Sequence, residues 1–349
     1  MRLPPQQVMP SVLAALHGIV ASDRNLFDWT DEHGKLLHYC IEGPIDVGIA
    51  QLYFDEFHNH REDEAMLPFG CSMTSEPVVR SARELDHPGF FRSALYNEVW
   101  RPQGFHYRLE AVLRGSRRQL LGSLVLYRSR GEARFTHDDE RALASVLPYV
   151  TRAVEPAAPE VIDGDGESVP VAAETVLVHS DGRIAQASSG ASRLLLMLDG
   201  GAGPRTLSAG AGPPGQTALR KLLGMVERSA AKPGPPFNLP IVNAWGRFDL
   251  KATPLQRLDL TLPNLLPVTI TQLEPARLAL LRCVQRLPLS PGQIEVCQRL
   301  YDGQSQRAIG QELGVAEATV VDHVRKIYRR LDIRSAFELR IALDAKMSN

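Results

Sequence analysis

The run LPLSPGQIEVCQRLYDGQSQRAIGQELGVAEATVVDHVRKIYRRLDIRSAFELRIAL, Leu287 to Leu343, decides how the chain is read. Ser290-Pro291 starts a helix, because Ser caps free amides and Pro suits the first helical position. Ile294, Cys297, Leu300 and Tyr301 recur at helical spacing until Asp302-Gly303 ends the run. Ser305 caps a short second helix with Ile309 and Leu313 inward, and Gly314 closes it where a left-handed residue is needed. Glu317 opens a third helix with Val320, Val324, Ile327 and Leu331 inward and Arg325, Lys326, Arg329 and Arg330 outward. A fourth starts at Ser335, with Glu338 in capping-box position.

Two helices joined by a tight Gly-containing turn form a helix-turn-helix, whose second helix normally enters the major groove. Thr319 suits a phosphate bond, Arg325 suits a base or a phosphate, and Lys326, Arg329 and Arg330 suit phosphate neutralisation. Residue types alone leave open an ordinary helical bundle with a solvated basic face. The stretch also resembles the LuxR-type (GerE-type) DNA-binding domain, over about a sixth of the chain. The matching residues are Leu289-Ser290-Pro291, Glu295-Val296, Gly303, Ile309, Glu312-Leu313-Gly314-Val315, Thr319-Val320, His323, Ile327-Tyr328, Leu331, Arg334-Ser335 and Glu338-Leu339. The resemblance implies an all-α four-helix domain that binds double-stranded DNA, usually as a dimer through the last helix. The sequence departs from the family at four positions. Val321 and Asp322 stand at groove-facing positions where the family has basic or polar groups, Gly292 replaces a basic residue, and Gly310 replaces Ala. An acid at 322 repels phosphate but suits a cytosine amino group, and Val321 suits a thymine methyl. Gly310 weakens the second helix by roughly 1 kcal/mol.

With 349 residues, two to three domains are expected. A net charge of -1 excludes a general polyanion binder, so DNA affinity must come from a local patch. Cys40, Cys71, Cys283 and Cys297 are scattered without a CxxC pair, which points to reduced thiols in the cytoplasm and away from disulfides or zinc. No signal peptide follows Met1-Arg2 and no run approaches the apolar length of a membrane span.

Residues 1–155 read as an antiparallel α+β domain. An opening helix covers Val8 to Ala21; strand-like runs flank the turn Asp31 to Gly34; helices cover Asp46 to His60 and Phe90 to Trp100 around a loop containing Pro68, Pro77 and Pro88. Strands start at Phe105 and Gln119, and Thr136 caps a closing helix. The order is similar to a GAF domain, most specifically through Tyr127-Arg128, Phe135-Thr136, Asp138-Asp139 and Leu147-Pro148. Aromatic residues between strands and middle helices, Tyr53, Phe57, Phe91, Tyr96, Trp100 and Tyr107, are candidates to face a small-molecule ligand, with packing as the ordinary alternative. His58 and His60 diverge on a helix, so they do not suggest a shared metal.

Residues 156–170, rich in Pro, Gly and acid, read as a linker. Residues 171–275 open with a strand at Thr175 to His179, a turn at Asp181-Gly182, a strand from Arg183 and a helix from Ser189. They continue with a helix at Gln216 to Ala230 and strands in FNLPIV, WGRFDLKATPL and LPVTITQLE, and resemble a PAS domain. Gly210 to Gly215 fits GxGxxG literally, but Pro213 and Pro214 remove two amides that a phosphate cradle needs, so it reads as loop; Gly200 to Gly203 reads likewise. Residues 276–288 form a basic connecting helix, and 289–349 the helix-turn-helix domain.

The fold expected is multidomain α+β: two antiparallel-sheet sensor domains, GAF-like and PAS-like, before the four-helix domain. The function expected is a one-component transcription regulator, homodimeric on DNA, answering a small molecule or partner, with RNA polymerase as the contact that the family resemblance implies. The alternative is a protein-binding antagonist of another regulator. No nucleophile elbow, HExxH or set of metal ligands marks an enzyme, and no cofactor is implied.

Overall fold

In β1 (Arg24–Thr30) polar Arg24 and Asp28 alternate with Phe27 and Trp29, so the two faces of one strand meet different surroundings. A computed structural model describes residues 3–74, 79–155, 168–229, 237–255 and 263–347. Before β1 lies α1 (Pro5–Leu16), which buries Met9, Leu13 and Leu16. After it, Asp31 accepts from the amides of His33 and Lys35, and Gly34 turns at φ 82°; the chain returns as β2 (Leu36–Ile41).

The expected helix from Asp46 to His60 is broken. α2 (Val47–Leu52) widens into a π-type turn over Tyr53–Phe57, followed by a short 3-10 turn at Arg61–Glu64. Then come α3 (Phe69–Thr74), β3 (Val79–Ser81) and α4 (Pro88–Arg92). The helix expected from Phe90 to Trp100 is likewise interrupted, because Ser93 is extended at ψ 155°; a π-type stretch resumes at Leu95–Trp100. β4 (Tyr107–Arg114), β5 (Leu120–Arg128) and α5 (His137–Val154) complete the first domain. Pro77 lies outside the described residues.

The first sheet runs β2-β1-β5-β4-β3, and each pairing described is antiparallel. Helices α1 and α5 pack on each other. The Arg128 guanidinium fixes the last turn of the domain. It donates to Asp139 at 3.2 Å and to the Ala21 carbonyl at 2.8 Å, and lies 4.0 Å from the Phe135 ring. That geometry explains why Tyr127-Arg128, Phe135-Thr136 and Asp139 stand out together in the sequence.

The second domain begins earlier than expected. β6 spans Ser168–Val178, so the last three residues of the expected linker are strand; residues 156–167 lie outside those described. β7 (Ile184–Ala187), α6 (Ala191–Leu198), α7 (Pro204–Leu207), α8 (Gln216–Ser229), β8 (Phe237–Asn243), β9 (Gly246–Ala252) and β10 (Leu266–Pro275) follow. The sheet order is β7-β6-β10-β9-β8. Numbered within each domain, both sheets run 2-1-5-4-3, so one strand order is used twice. The glycine-rich segment 210–215 lies in turns, as its prolines require.

By contacts the chain divides into two compact units: residues 1–160, 174–246 and 250–270, and residues 161–173, 247–249 and 271–349. Most of residues 1–155 and of 171–275 fall within the first unit. Within that unit the Tyr39 amide donates to the Ala202 carbonyl at 2.7 Å, and Leu196, Ala202 and Leu207 share an apolar cluster with Leu36, Phe54 and Phe69. The segment Gly200 to Gly203, read as loop, thus makes an isolated bridge to β2. His38 lies 4.8 Å from the Trp29 ring and 5.6 Å from Trp245, and burial pushes its pKa down to about 4.

The second unit carries α9 (Ala276–Gln285), α10 (Pro291–Tyr301), α11 (Gln306–Leu313), α12 (Glu317–Leu331) and α13 (Ala336–Met347). Val284, Val296, Cys297, Ile309, Val320 and Leu339 are the centre of its core. Cys297 is a packed hydrophobe whose thiol burial pushes up to about 12. Tyr301 donates to Asp344 at 2.6 Å, tying α13 to α10. Among the described residues no helix is long and apolar enough to cross a membrane.

Gly122 gives the sharpest test of the first sheet. It sits at φ 147° opposite Trp29, and a Cβ there would lie 1.8 Å from the Asp28 carbonyl oxygen. Gly122→Ala is expected to force β1 and β5 apart, destabilising the fold by on the order of 3 kcal/mol. Tryptophan fluorescence during urea unfolding checks it; an unchanged midpoint contradicts the strand pairing.

Candidate DNA-reading face and sensor cavity

Helix-turn-helix geometry is set by local chemistry. The Ser305 hydroxyl accepts from the Ala308 amide at 3.2 Å, starting α11. Gly314 ends it in the left-handed region at φ 68°, and Ala316 leads into α12. A Cβ at Gly310 would lie 3.0 Å from the Val315 carbonyl oxygen, so the helix–turn contact is closest where the sequence has Gly. The α10 start is held by Gln293, which accepts from the Ser290 amide at 3.0 Å. Glu338 accepts from Arg334 at 2.8 Å, and its own amide donates to the Ser335 hydroxyl at 3.1 Å.

At 100° per residue, burial of Val320, Val324 and Ile327 fixes which side of α12 faces out. Thr319, Asp322, Arg325, Lys326 and Arg329 are all exposed, and Val321 is half-buried at the edge of that face. The structure therefore brings the six candidate DNA-contacting residues onto one side. Asp322 and Lys326 form an i,i+4 ion pair at 2.6 Å. The hydrogen bond from Lys326 holds the Asp322 carboxyl below the usual range. Lys326 is thus partly neutralised, while Arg325 and Arg329 enter no ion pair among the described residues. Arg330 is different: it donates to the Pro288 carbonyl at 2.7 Å and to Gln293 at 2.9 Å. Its guanidinium braces the start of α10, and the residue stays exposed.

A second candidate site is a cavity of about 110 Å³ in the first domain. Of the six aromatic candidates, Tyr53 and Trp100 line it. Phe57 and Tyr96 are buried in the aromatic core, Phe91 packs on that core and stacks on His106 at 4.5 Å, and Tyr107 lies 5.9 Å from the Arg134 guanidinium. Those four do not line this cavity. The polar walls come from residues that aromatic spacing did not single out: Arg24, Asp28, Glu62 and Arg108. Arg24, Leu26 and Asp28 alternate along β1, so one strand face supplies all three.

Arg108 and Glu110 form a buried ion pair at 2.6 Å. Glu62 accepts from the Tyr53 hydroxyl at 2.5 Å and from the amides of Asn59 and Phe69 at 3.1 and 2.8 Å. Burial and the neighbouring carboxylate push the Tyr53 hydroxyl well above its ordinary pKa. Asp28 accepts from the Ser123 hydroxyl at 3.1 Å, and burial raises its carboxyl to about 7. His58, expected as half of a diverging HxH, packs against Tyr53 and Phe69. Among the described residues no group of three or more metal-ligating side chains is found.

Residues 287–342 match the family model described as bacterial regulatory proteins, luxR family. They constitute a luxR-family DNA-binding domain. No curated protein matches the chain. Among solved structures, the Vibrio cholerae VqmA dimer without target DNA aligns at 14% identity over 51% of this chain and 84% of its own, with TM-score 0.20. A VqmA–ligand–DNA complex aligns at 14% over 51% and 85%, with TM-score 0.23. The sensor region of a sensor histidine kinase aligns at 11% over 78% and 98%, with TM-score 0.19. Alignments at these scores assign neither fold nor function here.

Asp28 yields a pH prediction. Burial favours its neutral form, so its folded pKa of about 7 lies above the ordinary 3.8. The stability it contributes is complete below the lower value and is lost as pH rises through about 7. Urea midpoints followed through Trp29, Trp100 and Trp245 are expected to fall between pH 5 and 8, by a contribution of a few kcal/mol at most. Asp28→Asn should flatten that fall; an identical slope in the variant contradicts the assignment.

Proposed function

We propose, from the premise of a luxR-family domain at residues 287–342, that this protein is a DNA-binding transcription regulator whose N-terminal domains, of GAF-like and PAS-like type, respond to a small molecule. The observation that carries the DNA reading is the outward placement of Thr319, Arg325 and Arg329 on α12, with Arg325 and Arg329 in no ion pair among the described residues. The repeated 2-1-5-4-3 strand order and the cavity in the first domain support the sensor reading.

A dimer follows from the same domain. On α13, Phe337 is 73% exposed and Ile341 52%, one helical turn apart, an apolar pair that a second copy would cover. Two such copies would carry two α12 helices to half-sites about one DNA turn apart. RNA polymerase is the further partner that this family type suggests. The second reading is a protein-binding antagonist, favoured by the Asp322–Lys326 pair, which removes positive charge from the outer face of α12.

Arg325→Ala is expected to weaken binding to a recovered DNA site by about 1–3 kcal/mol if Arg325 reads a base. Arg329→Ala should lower affinity evenly across sequences and reduce the salt slope by about one. Arg330→Ala should lower thermal stability by about 1 kcal/mol through lost hydrogen bonds. Fluorescence anisotropy at several salt concentrations separates these. Absence of binding at low salt by the parent protein supports the antagonist instead.

A further inference from the structure

The charges around the first-domain cavity are not equally satisfied. Arg108 is matched by Glu110 at 2.6 Å. Glu62 has three donors, from Tyr53, Asn59 and Phe69. Arg24 donates to the carbonyls of Glu42 and Pro44 and lies 5.5 Å from the Phe105 ring. Asp28 differs. It is 8% exposed, accepts from the Ser123 hydroxyl, and among the described residues no cation stands at ion-pair distance. The cavity is lined by the aromatic residues Tyr39, Tyr53, Phe54 and Trp100 and by Arg24 and Arg108. Arg24 is engaged by the carbonyls of Glu42 and Pro44 and Arg108 by Glu110, so Asp28 is a lining charge with no opposite charge at ion-pair distance among the described residues. A carboxylate beside aromatic side chains favours an organic cation, through its charge and through ring quadrupoles within reach. An anion would meet Asp28 and Glu62 together.

Resting on the sensor reading above, we propose that this cavity takes a compact organic cation, an amine or protonated nitrogen heterocycle, that pairs with Asp28 within the aromatic walls. Size follows from volume. A cavity near 150 Å³ holds benzene, so about 110 Å³ suits a ligand of at most about six heavy atoms. The titratable and polar groups that face Asp28 are Tyr39 on β2, Ser123 and Tyr127 on β5, Arg108 and Glu110 on β4, Tyr53 on the π-type turn and Glu62 beyond it. Cation binding requires Asp28 ionised, and its proton leaves to solvent as the ligand enters.

The test is calorimetric titration of the full chain with isobutylamine, isobutanol and isobutyrate, which share a branched chain and differ in charge. Isobutylamine is expected to bind at least about tenfold tighter than isobutanol, with no measurable binding of isobutyrate. Its affinity should rise roughly tenfold from pH 6 to pH 8, as Asp28 ionises around pH 7 while the amine stays charged. Asp28→Asn should abolish both the preference and the pH step. Asp28→Glu, which keeps the charge, should keep the preference at lower affinity, and Ala50→Phe should block the cavity to all probes. Equal or tighter binding of isobutanol or isobutyrate overturns the cation assignment and leaves a ligand-binding sensor in place. Binding of none of the three overturns the assignment too, and the DNA-binding reading is then decided by the α12 variants.

Discussion

Burial of Val320, Val324 and Ile327 is the interaction on which the DNA-reading domain depends. These side chains pack with Ile309 and Val296 and set the rotational phase of α12. Once that phase is fixed, Thr319, Arg325 and Arg329 can only point away from the core. Gly314 in its left-handed conformation then sets the angle at which α11 hands the chain to α12. The basic face is therefore a consequence of core packing, and a cavity made at Val324 would disturb DNA binding without touching DNA.

In the first domain the organising cost is that of keeping charge out of water. A carboxylate or guanidinium buried in a sheet must be paired or hydrogen-bonded. Arg108 and Glu110 pair with each other, Ser72 also donates to Glu110, and Glu62 meets that need with backbone amides and Tyr53. Asp28 meets it by favouring its neutral form. The same wall includes Tyr39, whose amide bonds Ala202 at 2.7 Å, so a change at the cavity has a direct backbone route into the second domain.

Much of the helix-turn-helix was legible because each cue is local. Ser290, Ser305 and Gly314 act within one turn of their own position, and Val320 to Ile327 carry a clear 3.6 period. The cavity was less legible because it is assembled across strands. Aromatic spacing named Phe57, Phe91, Tyr96 and Tyr107, which pack elsewhere. A better signal was present: charged residues inside otherwise apolar strands, Asp28 in RNLFDWT and Arg108 and Glu110 in YRLEAVLR. Such residues must face either partners or a cavity. The interrupted helices at Tyr53 and Ser93 were hidden for another reason, since apolar periodicity there continues through the break. The bracing role of Arg330 was not legible because its partners, Pro288 and Gln293, lie some forty residues away in sequence.

The most direct measurement is selection of duplexes bound by the purified full chain from a random-sequence DNA pool. Enrichment of a two-fold-symmetric motif, with half-sites centred about one helical turn apart, is the expected result. A pool that stays random at low salt, or that yields only an unsymmetric motif, would contradict a dimeric regulator reading DNA through α12.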